Sequence, residues 1–368
     1  MNHDTRTKVA SAFAPGRIEL LGNHTDYNEG LVLGAAIDRG LTVAGTARND
    51  GIIRLSSGLL GKVELTLHDH RSEAEPTWAN YVFGVSRELI ELGVSIGGFE
   101  MQVTGCLPPR SGLASSAALE VATALFLLEL RGRILPAMEL AKLCQRAEHR
   151  SVGVQSGLLD QMISLSGRMN HLVYFDSRAE TVQLVPFPSD LAFIVAQSGK
   201  PRELSRGDYN LRREQTAAAA RALGVRALRD VSSSDLEQRT DLDPVLSRRA
   251  RHIIGENERV ERAVQALRQN DAARLGQLMN QSHESSRHNF ENSTPELDLL
   301  VELARTFPGV LGARLTGAGF GGAIIALVQR SQAEETAHQL QDAYQQKVAI
   351  HSEIFVCGIG DGARLTSC

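Results

Sequence analysis

Residues 99–132 constrain the fold more than any other stretch of this chain. Phe99-Glu100-Met101-Gln102-Val103-Thr104 alternates in the manner of a strand, and the loop Leu107-Pro108-Pro109-Arg110-Ser111-Gly112 follows it. A long Ala/Leu-rich helical segment then runs to near Gly132. A strand, a glycine loop and a helix in succession rule out an all-α or all-β chain. They also place the loop's backbone amides at a helix N-terminus, where unsatisfied N–H groups and a partial positive charge suit a phosphate. Ser115 and Ser116 add hydroxyls there, one of which can reach a metal ion held by phosphates. The segment is neither a Walker A loop, for want of the Lys after the last Gly, nor a G-x-G-x-x-G dinucleotide loop.

The flanking patterns agree. Leu41–Ala44 and Val63–Leu67 are strand-like, Trp78 opens a helix running to about Leu92, and a second helix runs from Ala137 to about Arg150. Beyond Ser189 come a buried strand at Ala192–Ala196 and helices from Leu211, Pro244, Ala272 and Pro295. A strand–loop–strand across Ala313–Val328, a helix over 332–347 and a last strand at Ile354–Val356 complete the pattern. Strands and helices interleave in both halves, so the class is α+β. At 368 residues the chain exceeds one compact core, and no linker interrupts it. Two lobes sharing an interface are expected, residues 1–188 and 189–368.

Apolar residues make up 42% and charged residues 22%, with a net charge of -4. That balance gives no reason to expect nucleic acid or an anionic membrane as partner. Met1–Phe13 is polar, without the apolar run of a signal peptide, and no segment is long and apolar enough to span a bilayer. Cys106, Cys144, Cys357 and Cys368 form no zinc or redox spacing and are expected to be reduced thiols of a cytoplasmic protein. His68-Asp69-His70 and His283/His288 lack ligand spacing and read as solvated histidines. Arg248-Arg249-Ala250-Arg251, balanced by Glu256 and Glu258, reads as a solvated helix face.

The run Ala14-Pro15-Gly16-Arg17-Ile18-Glu19-Leu20-Leu21-Gly22-Asn23-His24-Thr25-Asp26-Tyr27-Asn28-Glu29-Gly30 gathers polar groups of very varied type between glycines. It suits a hydroxyl-rich ligand. Asp26 can accept from two sugar hydroxyls, Asn23 and His24 can donate or accept, and Arg17 can stabilise a developing anion. A polar surface turn is the other reading of the same residues.

Pro-x-x-x-Gly-Leu-Ala-Ser-Ser-Ala-Ala at 108–118 resembles the phosphate loop of the GHMP kinases, and residues 14–30 resemble the sugar signature of galactokinases within that superfamily. Leu315-Thr316-Gly317-Ala318-Gly319-Phe320-Gly321-Gly322 resembles their third, glycine-rich motif. The resemblance, which covers residues 14 to about 328, implies a two-lobed fold with an S5-domain-2-like N-terminal lobe and a ferredoxin-like C-terminal lobe. The implied reaction is ATP-dependent phosphorylation of the C1 hydroxyl of galactose in the cleft between lobes. Asp160 matches the catalytic aspartate and Arg17 the arginine beside it. Asn23, His24, Asp26, Gly157 and Tyr209 match sugar positions, while Arg110, Ser111, Gly112, Leu113, Ala114, Ser115 and Ser116 form the ATP loop. Ser116 and Glu148 match the Mg²⁺ ligands. A monomer acting only on small molecules is expected.

Two positions depart from the pattern. Arg110 stands where the loop normally has Gly. Asn23 stands where galactokinases usually carry Glu, at the position the resemblance assigns to the sugar's C6 hydroxyl. Asn weakens that contact by about 1 kcal/mol, and it lifts a repulsion of about 1–4 kcal/mol that Glu would exert on a C6 carboxylate. Galacturonate, with Arg202 meeting its carboxylate, is therefore an alternative to galactose, as is another sugar 1-kinase specificity. A non-catalytic galactose/ATP sensor is a third reading, opposed by the presence of Arg17, Ser116, Glu148 and Asp160.

Overall fold

The computed structural model describes residues 8–66, 78–107, 111–200, 206–348 and 352–367. Arg110, Arg202, His68–His70 and Cys368 lie outside them. The chain begins with β1 (Val9–Leu21), β2 (Leu31–Arg48), β3 (Ile52–Ser57) and β4 (Gly61–Thr66). Then follow α1 (Trp78–Glu91), β5 (Gly98–Gly105), α2 (Ser115–Leu130), α3 (Ala137–Ser151) and α4 (Leu159–Ser166). The hairpin β6 (His171–Asp176) and β7 (Thr181–Pro186) precedes β8 (Leu191–Gln197). The helices α5 (Arg206–Leu223), α6 (Ser233–Glu237), α7 (Pro244–Arg268), α8 (Ala272–Ser285) and α9 (Pro295–Ala304) come next. Last are β9 (Val310–Thr316), β10 (Ala323–Gln329), α10 (Ala333–Lys347), β11 (Ile354–Cys357) and β12 (Arg364–Leu365).

The first sheet runs β12-β1-β2-β5-β3-β4, with β6 on the free part of β2 and β7 beyond it. Its long strand β2 serves two partners in turn, pairing Leu31–Gly34 with β6 and Leu41–Arg48 with β5. Helix α2 packs on this sheet, buried almost all round, as its nearly unbroken apolar composition requires. The second sheet is β11-β8-β10-β9. Here β10 reads Ala-Ile-Ile-Ala-Leu-Val without alternation because both faces are covered. Ile325 and Leu327 join the main core with Met279 of α8, while Ile324, Ala326 and Val328 meet α9 and α10. The main core extends from the first sheet through α8 to Phe193 and Ile325, so the two sheets share an interface.

Two expectations need correction here. Ile354–Cys357 is not the last strand, since β12 returns to the first sheet and pairs Ala12 with Leu365 and Phe13 with Arg364. The hairpin of β6 and β7 was not expected from the sequence, although His171–Asp176 supplies the second partner that the length of β2 demands. The described cysteines Cys106, Cys144 and Cys357 are unpaired. No helix among the described residues is long and apolar enough to cross a membrane.

Candidate active site

A cleft open to solvent gathers most of the expected residues. Arg17 comes from β1; Asn23, His24 and Asp26 come from the turn after it. Ser116 opens α2, Glu148 lies on α3, Gly157 and Asp160 flank the start of α4, and Tyr209 lies on α5. Ser111, Gly112, Leu113 and Ala114 are buried beside the cavity and do not line it, and Ser115 is half-buried. The loop is seated on the third glycine-rich motif: a Cβ on Gly112 would lie 3.4 Å from both Ala323 N and Thr316 O. Gly112 (φ 81°) and Ala114 (φ 58°) turn the chain into α2 through the left-handed region.

Arg17 and Asp160 form the charged centre of the cavity. Arg17 Nε and Nη2 contact Asp160 Oδ1 at 2.8 and 2.7 Å, and Nη1 donates to Gly112 O at 2.6 Å. The guanidinium is 2% exposed while the Asp160 side chain keeps 28% exposure. Both of these Arg17 contacts fall on Oδ1, and among the described residues Oδ2 takes no hydrogen bond from Arg17. Arg17 also donates its backbone N–H to Leu113 O at 3.1 Å, tying β1 to the phosphate loop.

The turn after β1 is not a surface turn. Asn23, His24 and Thr25 are buried. His24 takes a left-handed φ of 61°, and both of its ring nitrogens are engaged. Nε2 faces Ala318 O at 2.9 Å and must donate, so Nδ1 accepts from the Tyr27 hydroxyl at 2.8 Å. Asp26 accepts from the backbone N–H groups of Tyr27 and Leu159, at 3.0 and 3.3 Å. Burial and the neighbouring Asp160 push its carboxyl up to about 6. A Cβ at Gly157 would lie 1.8 Å from Asp26 Oδ2, so position 157 has no room for a side chain. Residues 155–156 are held in turn by Arg213 on Gln155 O and by Gln145 and His149 on Ser156 O.

Asn23 behaves otherwise than expected of a residue facing a sugar. Its Nδ2 donates to Glu19 Oε1 at 2.9 Å and to Gly317 O at 2.7 Å, and its Oδ1 accepts from Asn292 at 2.9 Å. Both amide hydrogens are spent on the protein.

Several residues that matter here were not singled out from sequence. Glu19 lines the cavity; it lies two residues after Arg17 on the same strand face, a spacing that could have revealed it. From α7, Glu256 Oε2 accepts from the N–H groups of Gly22 and Asn23, at 2.9 and 3.0 Å. Burial would raise Glu256, but Arg259, His252 and Arg314 together hold it below the usual carboxylate range. His252 Nε2 donates to Asn23 O at 3.2 Å, and Asn257 Oδ1 accepts from Leu31 N at 2.7 Å. The solvated-face reading of Arg248–Arg251 thus fails at two points. Glu256 is fully buried, and Arg249 is 2% exposed, bonded to Gln215, Asn289 O and Glu291. His283 is also buried, 3.2 Å from Asp298, whereas His288 is exposed.

Ser116 and Glu148 place two oxygen donors on the cavity wall, the donor type Mg²⁺ takes. No group of three or more His, Cys, Asp or Glu suited to a metal occurs among the described residues. The pair fits an ion completed by phosphate oxygens and water.

Family models match the chain in three places: the GHMP kinases N terminal domain at residues 80–168, the GHMP kinases C terminal at 263–346, and the galactokinase galactose-binding signature at 3–47. A galactokinase of Roseiflexus sp. (strain RS-1) is 41% identical over 95% of this chain and 91% of its own length. The chain belongs to the galactokinase family. A Haemophilus influenzae galactokinase is 40% identical over 96% of this chain and 94% of its own. Among solved structures, Lactococcus lactis galactokinase complexed with galactose superposes with a TM-score of 0.92, 35% identity and coverage of 97% and 95%. The Methanococcus jannaschii mevalonate kinase, at 18% identity and TM-score 0.63 over 97% and 100%, shares the fold. The GHMP kinase architecture expected from the glycine motifs is therefore the fold of this galactokinase-family chain.

Proposed function

We propose that the chain transfers the γ-phosphoryl group of ATP to the anomeric C1 hydroxyl of D-galactose, giving α-D-galactose 1-phosphate and ADP, the first committed step of galactose catabolism. The observation that carries this reading is the Arg17–Asp160 pair, set between the galactose signature and the start of α2. Asp160 Oδ2 accepts the C1 hydroxyl and orients it or takes its proton. Arg17 holds Asp160 in place and stabilises the oxygen as charge develops. Asp26, His24 and Tyr209 bound the sugar, with Asn23 and Gly157 shaping the wall behind it. The backbone of residues 111–116 receives the phosphates at the α2 N-terminus, and Arg110 belongs to the same loop.

Ser116 and Glu148 would hold Mg²⁺, which neutralises phosphate charge during transfer. The same reading takes residues 1–188 and 189–368 as the two lobes, with the C-terminal β12 crossing back to the first. It also takes the protein as a cytoplasmic monomer whose partners are small molecules. Positioning and electrostatics supply most of the rate in phosphoryl transfer, so the pre-set Arg17–Asp160 geometry is what the reaction needs. The test is ADP release from MgATP with galactose, galacturonate, N-acetylgalactosamine, arabinose, glucose and homoserine. Galactose is expected to be turned over preferentially, with phosphate on C1 by NMR. No turnover across the panel would overturn the reading in favour of a sensor.

A further inference from the structure

Asn23 replaces the Glu usual in galactokinases, yet the structure supplies a carboxylate in contact with it. Glu19 Oε1 receives Asn23 Nδ2 at 2.9 Å and Arg314 Nη1 at 3.4 Å. Glu19 lines the cavity, and its Oε2 has no hydrogen-bond partner among the described residues. Arg314 is fully buried and also donates to the backbone carbonyls of Glu19 and Leu20. Thr316 Oγ1 takes the Glu19 N–H at 2.8 Å. One carboxylate oxygen is thus held by Asn23 and Arg314, and the backbone of Glu19 by Thr316 and Arg314.

Its position along the cavity follows from the strand. Arg17 pairs with Ala36 and Glu19 with Gly34 in unbroken register, so their side chains leave the same face. They are separated by one strand repeat, roughly 6–7 Å. Arg17 marks the end where C1 reacts. Glu19 therefore stands about one hexose ring away, beside Asn23, at the end where the ring carries its C6 hydroxymethyl group.

We infer that Glu19 is the specificity-determining carboxylate of the sugar site, accepting a hydrogen bond from the C6 hydroxyl and excluding sugars with a carboxylate there. The inference rests on the proposed galactose C1 kinase reading. It also removes the ground for a galacturonate preference, since the carboxyl group absent from position 23 is present at 19.

The test compares wild type with Glu19→Gln, and with the exchange variant Glu19→Asn plus Asn23→Glu, on galactose, 6-deoxygalactose and galacturonate with MgATP at about pH 8, above the value of about 7 to which burial pushes the Glu19 carboxyl. A hydroxyl donating to a charged acceptor should give wild type a preference for galactose over 6-deoxygalactose of about tenfold or more in KM. In Glu19→Gln the preference should shrink to about threefold, the loss falling on KM for galactose more than on kcat, and galacturonate should begin to bind. The exchange variant, which returns a carboxylate to the same contact, should recover the preference. An equal preference in wild type and Glu19→Gln overturns the inference, as does a wild type that does not distinguish the two sugars, a result that needs no variant to fold. Absence of ADP release with galactose overturns the parent reading as well, whereas turnover with an unchanged ratio overturns this one alone.

Discussion

The two ends of the cavity are built by opposite means. At the sugar end the protein satisfies its own polar groups: Asn23, His24 and Thr25 are buried and bonded, and α7 clamps the turn from behind through Glu256, His252 and Asn257. At the nucleotide end, α2 starts at Ala114 without a side-chain cap, whereas Asp243 caps α7 by accepting from Val245 and Leu246. Ser115 and Ser116 there remain half-buried. A turn locked by its own hydrogen bonds is preorganised, and it lowers the entropy a small polyol must lose on binding. A helix start with unmet N–H groups is instead completed by the ligand's phosphates. Damage at the sugar end should therefore appear in stability and sugar KM together, and damage at the nucleotide end in nucleotide KM alone.

The largest expected effect lies between the two ends and spares both frameworks. Asp160→Asn keeps the size of the side chain but removes the negative charge that meets Arg17 and the substrate hydroxyl. Loss of a group that takes or orients the proton should lower kcat by about 10²–10⁴. Steady-state kinetics should place the loss in kcat, with KM for galactose and for ATP changing only a few-fold. A variant that keeps a tenth of the wild-type kcat would remove Asp160 from the chemistry and leave it as a packing partner of Arg17.

The next effect tests the comparison itself. Glu256→Ala leaves the N–H groups of Gly22 and Asn23 and the Arg259 guanidinium without their shared acceptor. Removing one partner of a buried pair costs about 3–5 kcal/mol, to be read from the denaturant midpoint. Galactose KM should rise while ATP KM stays within about twofold. An equal rise in both would show that the two ends are one mechanical unit, and the contrast drawn above would fall.

How far the sequence reveals this arrangement depends on the range of the interactions. The phosphate loop and α2 are legible because glycine spacing and local periodicity carry them, whereas the Arg17–Asp160 pairing, made across more than a hundred residues, is legible only through the resemblance to the GHMP kinases. The clamp is not, since Glu256 meets Gly22 across more than two hundred residues and a single helix pattern does not say which face a charge will bury. Helix positions two residues apart point about 200° apart, which is how Arg249 can be enclosed while Arg251 stays exposed. β12 is two residues long, too short for any alternation to show. Glu19 was within reach of sequence reasoning, because strand period two from Arg17 points it into the same cavity.

The smallest effect is a pH signature of the sugar end, and its sign can be worked out. Burial pushes His252 down to about 3, from an unfolded value near 6.5, so its stabilising contribution is full above about 6.5 and is lost as pH falls toward 3. Burial pushes Glu19 up to about 7, with Arg314 and Arg17 opposing, and raises Asp26 to about 6 with help from Asp160. Those two carboxyls contribute stability that is full below their unfolded values and is lost as pH rises through 6 and 7. Glu120, raised by burial and by Glu148, adds with the same sign. Between pH 5.5 and 7 His252, with His149 and His283 lowered by burial in the same sense, opposes the three carboxyls, each group at no more than about 1.4 kcal/mol per pH unit, and the wild type should show a shallow net slope. His252→Gln takes one group from the histidine side of the balance: denaturant midpoints should then rise more, or fall less, than those of wild type as pH is lowered from 7 to 5.5, whatever the overall cost of the substitution. A slope unchanged from wild type would mean that His252 does not stay neutral behind Asn23. The clamp at the sugar end would then be a charged contact, unlike the neutral donor–acceptor chain through Ser285, His252 and Asn23.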